Sequence, residues 1–294
     1  MRIDLIFLVV LFLNAAFCSC STSHLSEVEE THRVVHLSLD DVEVLGDLIK
    51  HQQDYDSLFQ HPLMAFLQEL HSKHGLRITL YTYESFNDGD SYISIQDMPL
   101  KYKSEFRKSS DWLRIGYHSP RADFDSLVSV VAFRNSYNNV NSAIAQFADS
   151  SIVASTLRFH YFFAPDSLLS VLTGIGSLLC ADDSSRSSYN LTPSEVETVA
   201  RGERIVKNGI SYIRTDLRID DNLRVIRDLK RLETADTLVV FTHEWKLWHR
   251  PENDDRRSVA GKIKVRIGEG VNRELFKETV KWLKEAGYKF SFLE

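Results

Sequence analysis

The feature that most constrains the fold is a repeated pattern in which short, apolar, β-branched runs end at acidic or histidine residues. The residues at these ends are, in chain order, Asp40 with Asp41, Glu84, His118, His160, and His243 with Glu244. In a parallel α/β barrel the carboxyl ends of all strands lie on one face, so residues distant in sequence meet there. The pattern therefore predicts a hydrolytic metal site in a single pocket.

Strand candidates alternate with helix candidates along the chain. Strands are predicted at Val34–Leu39, Leu76–Tyr83, Leu113–Tyr117, Thr156–Phe159, Ile175–Cys180, Thr237–Thr242 and Tyr288–Phe292. Helices are predicted at 62–75, 167–172, 222–232 and 273–286, with helical or irregular segments at 126–134 and 143–148. This alternation predicts a parallel sheet in one α/β domain, and the number of units favours a closed barrel over an open sheet. Asn208-Gly209 predicts a β-hairpin inserted near 204–214.

The start of the chain has the composition of an export signal. Met1-Arg2 precedes an apolar stretch, Leu5–Phe17, which is too short to cross a bilayer core of roughly 30 Å as a helix. Residues 1–20 are therefore predicted to be a signal peptide, residues 21–32 a polar tether and residues 33–294 the folded domain. Cys20 matches a lipoprotein cleavage site that would tether the product to a membrane, with ordinary cleavage or a buried strand as alternatives. The product is expected to be exported, to the cell envelope, the periplasm or the medium.

Composition excludes several classes of protein. Beyond the leader Cys180 is the only cysteine, so neither a disulfide framework nor a zinc site built on thiolates is available. The formal net charge of −6 argues against nucleic-acid binding, which needs a basic surface. The oligomeric state is left open.

Each candidate site residue also has a structural alternative. Asp40 and Asp41 at a turn can enter one pocket with different roles, or can be a helix cap and a solvated neighbour. His118 and His160 are metal-ligand candidates, although a histidine in an aromatic-rich strand also packs as a structural residue. His243 is followed by two tryptophans, and a strand end rich in His, Glu and Trp suits a sugar site.

Three short motifs resemble those of the polysaccharide deacetylase superfamily. S-L-D-D (38–41) resembles its first motif, H-S-P (118–120) the start of its second, and T-H-E-W (242–245) its last. The order and spacing of the motifs also fit over roughly residues 34–245. The resemblance implies a distorted (β/α)7-type barrel and a hydrolase that removes acyl groups from amino sugars with a divalent metal, most simply Zn²⁺.

Carried over by position, the resemblance assigns Asp40 as the general base and His243 as the general acid. Asp41 and His118 would be metal ligands. The second histidine of the second motif would fall at position 122, which is Ala122. His160 is the expected replacement ligand, and Asp123 and Glu244 are the alternatives. The third motif is not cleanly present, and the predicted substrate-binding residues are Trp245, Arg158 and Glu84.

The expected function is thus a metal-dependent carbohydrate deacetylase. Two alternatives remain at this level. One is a non-catalytic carbohydrate-binding relative on the same barrel, which Ala122 favours. The other is a glycoside hydrolase that uses two carboxylates, such as Asp41 and Asp183, about 5 to 9 Å apart.

Overall fold

The structure is a computed structural model that describes residues 33–123, 129–182, 188–249 and 258–293. The leader and tether predicted over residues 1–32, including Cys20, lie outside the described residues, and so does Asp183.

The described residues form twelve strands. These are β1 (Val34–Val42), β2 (Ile78–Tyr83), β3 (Ser85–Asp88), β4 (Ser91–Ser94), β5 (Leu113–Ser119), β6 (Thr156–Leu157), β7 (Ser177–Leu179), β8 (Ile205–Lys207), β9 (Ile210–Ile213), β10 (Leu217–Arg218), β11 (Thr237–His243) and β12 (Lys289–Phe290). Nine α-helices accompany them in the same part of the chain. These are α1 (Val44–Lys50), α2 (Pro62–His74), α3 (Lys103–Lys108), α4 (Val130–Phe147), α5 (Asp166–Leu169), α6 (Pro193–Ala200), α7 (Val225–Arg231), α8 (Glu244–Leu247) and α9 (Val259–Glu285).

The central sheet is parallel and is buried on both faces. Its strand order is β10-β11-β1-β2-β5, and β12 pairs with the start of β1. All six residues of β2 are buried, as are the apolar residues of β1 from Val35 to Leu39. Such burial is typical of parallel strands covered by helices on each side, and the predicted parallel α/β sheet is confirmed.

A closed barrel is not seen among the described residues. A second sheet, of order β6-β7-β9-β8, lies beyond β5, and a single bridge between Ile115 and Val153 links β5 to the chain just before β6. The break follows from the shortness of β6, which has two residues before the chain turns at His160. Two residues are too few to continue a sheet around a barrel wall.

Several element boundaries differ from the sequence prediction. The Asn208-Gly209 hairpin joins β8 and β9, with φ of 51° and 81° at its two turn residues. It is not a separate insertion, because β9 also pairs in parallel with β7. The final helix α9 begins at Val259, fourteen residues before the predicted start. A second hairpin, β3–β4, was not predicted.

Helix boundaries follow recognisable local signals. Pro62 occupies the first turn of α2, and Gly75 ends that helix at φ 72°, a conformation that glycine adopts without strain. Thr192 and Glu195 form a capping box at the start of α6. None of the helices in the described ranges is both long enough and apolar enough to cross a membrane.

Candidate metal centre and its cleft

The site begins at an irregularity near the end of β1. The register between β1 and β2 shifts between Leu39 and Val42, and Asp41 has a left-handed backbone with φ 55°. This conformation is uncommon for residues other than glycine and often marks a functional site. The charges of both neighbouring carboxylates, Asp40 and Asp41, contribute to raising the pKa of His243 on the adjacent strand.

Asp41, His118 and His160 form a compact cluster of metal-ligand atoms. Asp41 Oδ1 lies 3.2 Å from His118 Nε2 and 3.2 Å from His160 Nδ1. The two ring nitrogens are themselves 3.2 Å apart. Because one ligand atom from each residue lies within 4.8 Å of the others, a single cation can contact all three.

The hydrogen bonding of His118 tests whether a metal fits this cluster. Its Nδ1 lies 2.5 Å from the backbone carbonyl oxygen of Arg158, which can only accept, so Nδ1 must carry the proton. In the neutral ring, Nε2 therefore presents a lone pair to Asp41 Oδ1, which is also an acceptor. A cation between these two acceptors removes the repulsion between their lone pairs. The Arg158 carbonyl fixes the tautomer of the ring, as backbone carbonyls do for metal-binding histidines. The residues fit a divalent metal.

The charge state of Asp41 also suits a ligand. Burial alone raises the pKa of this carboxyl, but its close contacts with the His118 and His160 rings outweigh burial and hold the pKa well below its usual range. The Tyr83 hydroxyl donates to Asp41 Oδ1 at 2.6 Å. Burial and the Asp41 carboxylate raise the pKa of Tyr83, so Tyr83 stays a hydrogen-bond donor. Asp41 is therefore an anion with fixed orientation.

Asp40 is buried beside the cluster and is held by Arg158. Arg158 Nη1 donates to Asp40 Oδ1 and Oδ2 at 3.0 and 3.3 Å, and to Ser38 Oγ at 3.2 Å. Arg158 Nη2 donates to Thr215 Oγ1, and that hydroxyl donates to the carbonyl of Cys180. Arg158, predicted to bind substrate, is 1% exposed, and its guanidinium pairs with Asp40 inside the protein.

His243 is positioned by Asp220, a residue that the sequence reasoning missed. Asp220 Oδ2 contacts His243 Nδ1, and Asp220 Oδ1 accepts from the His243 backbone N–H at 3.0 Å. The Thr242 hydroxyl donates to the same oxygen at 2.5 Å. Burial alone would lower the pKa of His243, but the hydrogen bond and charge of Asp220 raise it. Nε2 remains directed at Asp41, 3.8 Å from Oδ2.

A cleft of about 920 Å³ opens over Asp41 and His160. Trp245, predicted to bind substrate, lines it, is 55% exposed and donates from Nε1 to Asp41 Oδ2 at 3.2 Å. Tyr161, beside His160, is 72% exposed and also lines the cleft. Ala122 lies on the same lining, and so do residues of the first half of α9.

Three other predicted site residues, Asp123, Glu84 and Glu244, contact groups outside the Asp41–His118–His160 cluster. Asp123 is exposed, accepts from the Tyr92 hydroxyl and pairs with Arg121. Glu84 accepts from the side chain of Asn139 at 2.7 Å and does not line the cleft.

Glu244 lines the cleft, but its Oε2 accepts from the backbone N–H groups of Glu43 and Val44, at the start of α1. Of the three residues proposed as the replacement ligand, the structure brings His160 to the Asp41–His118 pair. Asp123 and Glu244 stand outside the cluster of three.

Comparisons of the sequence with protein-family models and with curated proteins give no match. Among solved structures, a peptidoglycan deacetylase from Bacillus subtilis is 12% identical, with 90% of this chain and 89% of that chain covered and a TM-score of 0.42. A CE4 family pseudoenzyme from Bacillus anthracis is 12% identical, with 88% and 63% covered and a TM-score of 0.40. A 4-α-glucanotransferase from Thermococcus litoralis is 12% identical and has a TM-score of 0.52, with 88% of this chain and 39% of that chain covered.

Other similar structures are described as a deacetylase, the CE4 domain of a xylanase, a CE4 esterase and a family 4 acetyl xylan esterase. At these identities the likeness is one of fold, so the chemistry of this chain has to be argued from its own residues.

Proposed function

We propose that the protein is a metal-dependent hydrolase that removes an acyl group, most simply acetyl, from an amino sugar of a glycan. The observation that carries the proposal is the Asp41–His118–His160 cluster, next to which lie Asp40, paired with Arg158, and His243, whose Nε2 is 3.8 Å from Asp41 Oδ2. Two imidazoles and one carboxylate are a ligand set that suits zinc and leaves a coordination position open. When bound, the metal supplies Lewis acidity, which polarises an acyl carbonyl and makes water easier to deprotonate.

We assign the remaining groups from their contacts. Asp40 takes the proton of the attacking water, and the Arg158 guanidinium fixes the direction of its carboxylate. The raised pKa of His243 favours the protonated ring that a general acid needs. Because Asp220 holds Nδ1, the proton on Nε2 is the one given to the departing amine. Trp245 offers an exposed indole face on which a sugar ring can stack.

We also assign the two sheets to the wall of one distorted (β/α)7-type barrel. In support, Ile115 bridges to Val153 at one junction. The chain also passes from β9 of the second sheet to β10 of the first sheet through Thr215, whose hydroxyl donates to the carbonyl of Cys180, just after β7. We further assign the protein as exported, with residues 1–20 as its leader, on the composition of that segment.

Metal content and acetate release of the purified full chain test the function together. The expected result is one divalent metal per chain, lost in Asp41→Ala and retained in the surface control His74→Ala. Acetate should be released from an N-acetylated chito-oligosaccharide by the metal-loaded protein. Stoichiometric metal with sugar binding but no release from N- or O-acetylated glycans would instead indicate the binding-only relative. Absence of metal binding would refute the proposal.

A further inference from the structure

The first half of α9 presents an apolar stripe to solvent. Val259, Ile263, Ile267 and Val271 are 74%, 54%, 62% and 41% exposed. Their spacing of four residues places them along one side of the helix. We call these four residues the outer stripe. The second half of α9 differs, because Phe276, Val280 and Leu283 are buried in the core.

Cations border the outer stripe on both edges. Lys262, Lys264 and Arg266 are the only charged residues between positions 258 and 268, although the whole chain has a net charge of −6. At 3.6 residues per turn, Lys262 and Arg266 lie along one edge of the stripe and Lys264 along the other. The first acid of the helix is Glu269. The segment is therefore a short basic amphipathic helix in an acidic protein.

The opposite side of the same helix serves the cleft. Gly261, Val265 and Gly268 line the cleft on the side away from the outer stripe, and Lys264, at the edge of the stripe, lines it as well. A partner seated on the outer stripe would leave the side with Gly261, Val265 and Gly268 uncovered. The outer stripe of α9 thus faces solvent, and the opposite side of the helix faces the cleft.

We infer that the outer stripe is a docking surface for an anionic lipid bilayer. In such docking, the apolar side of a helix lies in the headgroup region and the cations on its edges approach lipid phosphates. A second copy of the chain fits the surface less well. A two-fold contact between two α9 helices would bring cationic edges together, and like charges at short range repel.

Co-sedimentation with vesicles tests this inference with the full chain. Phosphatidylcholine vesicles with added phosphatidylglycerol should bind the protein more tightly than phosphatidylcholine alone, and salt should weaken the binding. Lys262→Gln with Arg266→Gln should weaken binding about fivefold per cation removed. Ile263→Ser with Ile267→Ser should weaken it by roughly tenfold or more. The matched control, Lys281→Gln with Lys284→Gln at the far end of α9, should change binding by much less.

Two results would overturn the inference. The first is binding that is equal for neutral and anionic vesicles, or that neither variant pair weakens. The second is a lipid-free dimer in sedimentation velocity that the Ile263→Ser, Ile267→Ser pair dissociates, which would assign the stripe to a second copy. Because binding is measured without substrate, neither result depends on the proposed deacylation.

Discussion

Replacing Asp220 with Asn isolates the electrostatic role of this carboxylate from its size. The Asn side chain keeps an oxygen that can accept from the Thr242 hydroxyl and the His243 backbone N–H. It removes the negative charge that contacts His243 Nδ1. Burial still lowers the pKa of His243 in the variant, and the Asp220 charge that raises the pKa is gone. The pKa of His243 should therefore fall.

The size of the effect follows from the lost contact. A hydrogen bond to a charged group contributes about 1.5–3 kcal/mol, which corresponds to a protonated fraction about 10- to 100-fold smaller above the pKa. If His243 is the general acid, turnover of Asp220→Asn should fall by about that factor on the basic side of the pH profile. Below the pKa of both proteins the ring is protonated in each, and the loss should be small.

The assay is the pH dependence of kcat for an N-acetylated oligosaccharide, beside an NMR titration of the His243 ring. An activated ester, whose leaving group needs no proton, should lose much less activity. Asp88→Asn, which removes a surface carboxylate paired with Lys50, is the matched control. A basic limb that does not move, or an unchanged His243 titration, would refute the assignment. Loss of metal in Asp220→Asn would mean that Asp220 supports the ligands instead.

Three further predictions concern the ligand set and the fold. His160→Ala should weaken zinc binding by at least about tenfold without unfolding the domain, measured by competition with a chelator and by circular dichroism; unchanged affinity would remove His160 from the ligand set. Burial lowers the pKa of His36 to about 3, so its contribution to stability is complete above roughly pH 6.5 and is lost as pH falls toward 3. Urea titrations across that range measure the free energy of unfolding, which should fall less steeply with decreasing pH in His36→Gln than in the wild type, by up to about 1.4 kcal/mol per pH unit. Equal slopes in the two proteins would contradict this prediction. Gly116→Ala should destabilise the domain by about 1–3 kcal/mol in the same assay, because a Cβ there would lie 2.9 Å from the buried Tyr81 ring; wild-type stability would show that the ring can move.

The central strands could be predicted because burial on both faces leaves a continuous apolar signal. β1, β2, β5 and β11 coincide with predicted runs to within a few residues. Only the second half of the long helix α9, which packs on the core, could be predicted. Its first half carries glycines and an exposed apolar stripe, which mask the usual inward-facing periodicity. Barrel closure depends on contacts between very short strands, which local sequence patterns do not encode.

The candidate site could be predicted where strand ends carry unusual residues, and not where a partner comes from a loop. Asp40, Asp41, His118 and His243 follow apolar runs directly, which made them visible. Asp220 lies after β10, which has only two residues, so no strand was predicted before this acid. A cue was present in the stretch R-I-D-D (218–221), which repeats the strand-then-acids pattern of S-L-D-D.

The replacement of a ligand by His160 rests on geometry rather than on motif spacing. Ala122 follows β5 and lies at the cleft, but its methyl group cannot bind a metal. His160 reaches the same cluster from the end of β6, at a turn where Tyr161 and Phe162 both have positive φ, of 55° and 54°. Two successive non-glycine residues in this region persist only when surrounding contacts hold them. Here the Phe162 carbonyl accepts from Tyr189, and Arg158, two residues before His160, is anchored by Asp40. The same segment thus positions the proposed base through Arg158 and brings the proposed third ligand, His160, to the cluster, which links the two halves of the proposed site.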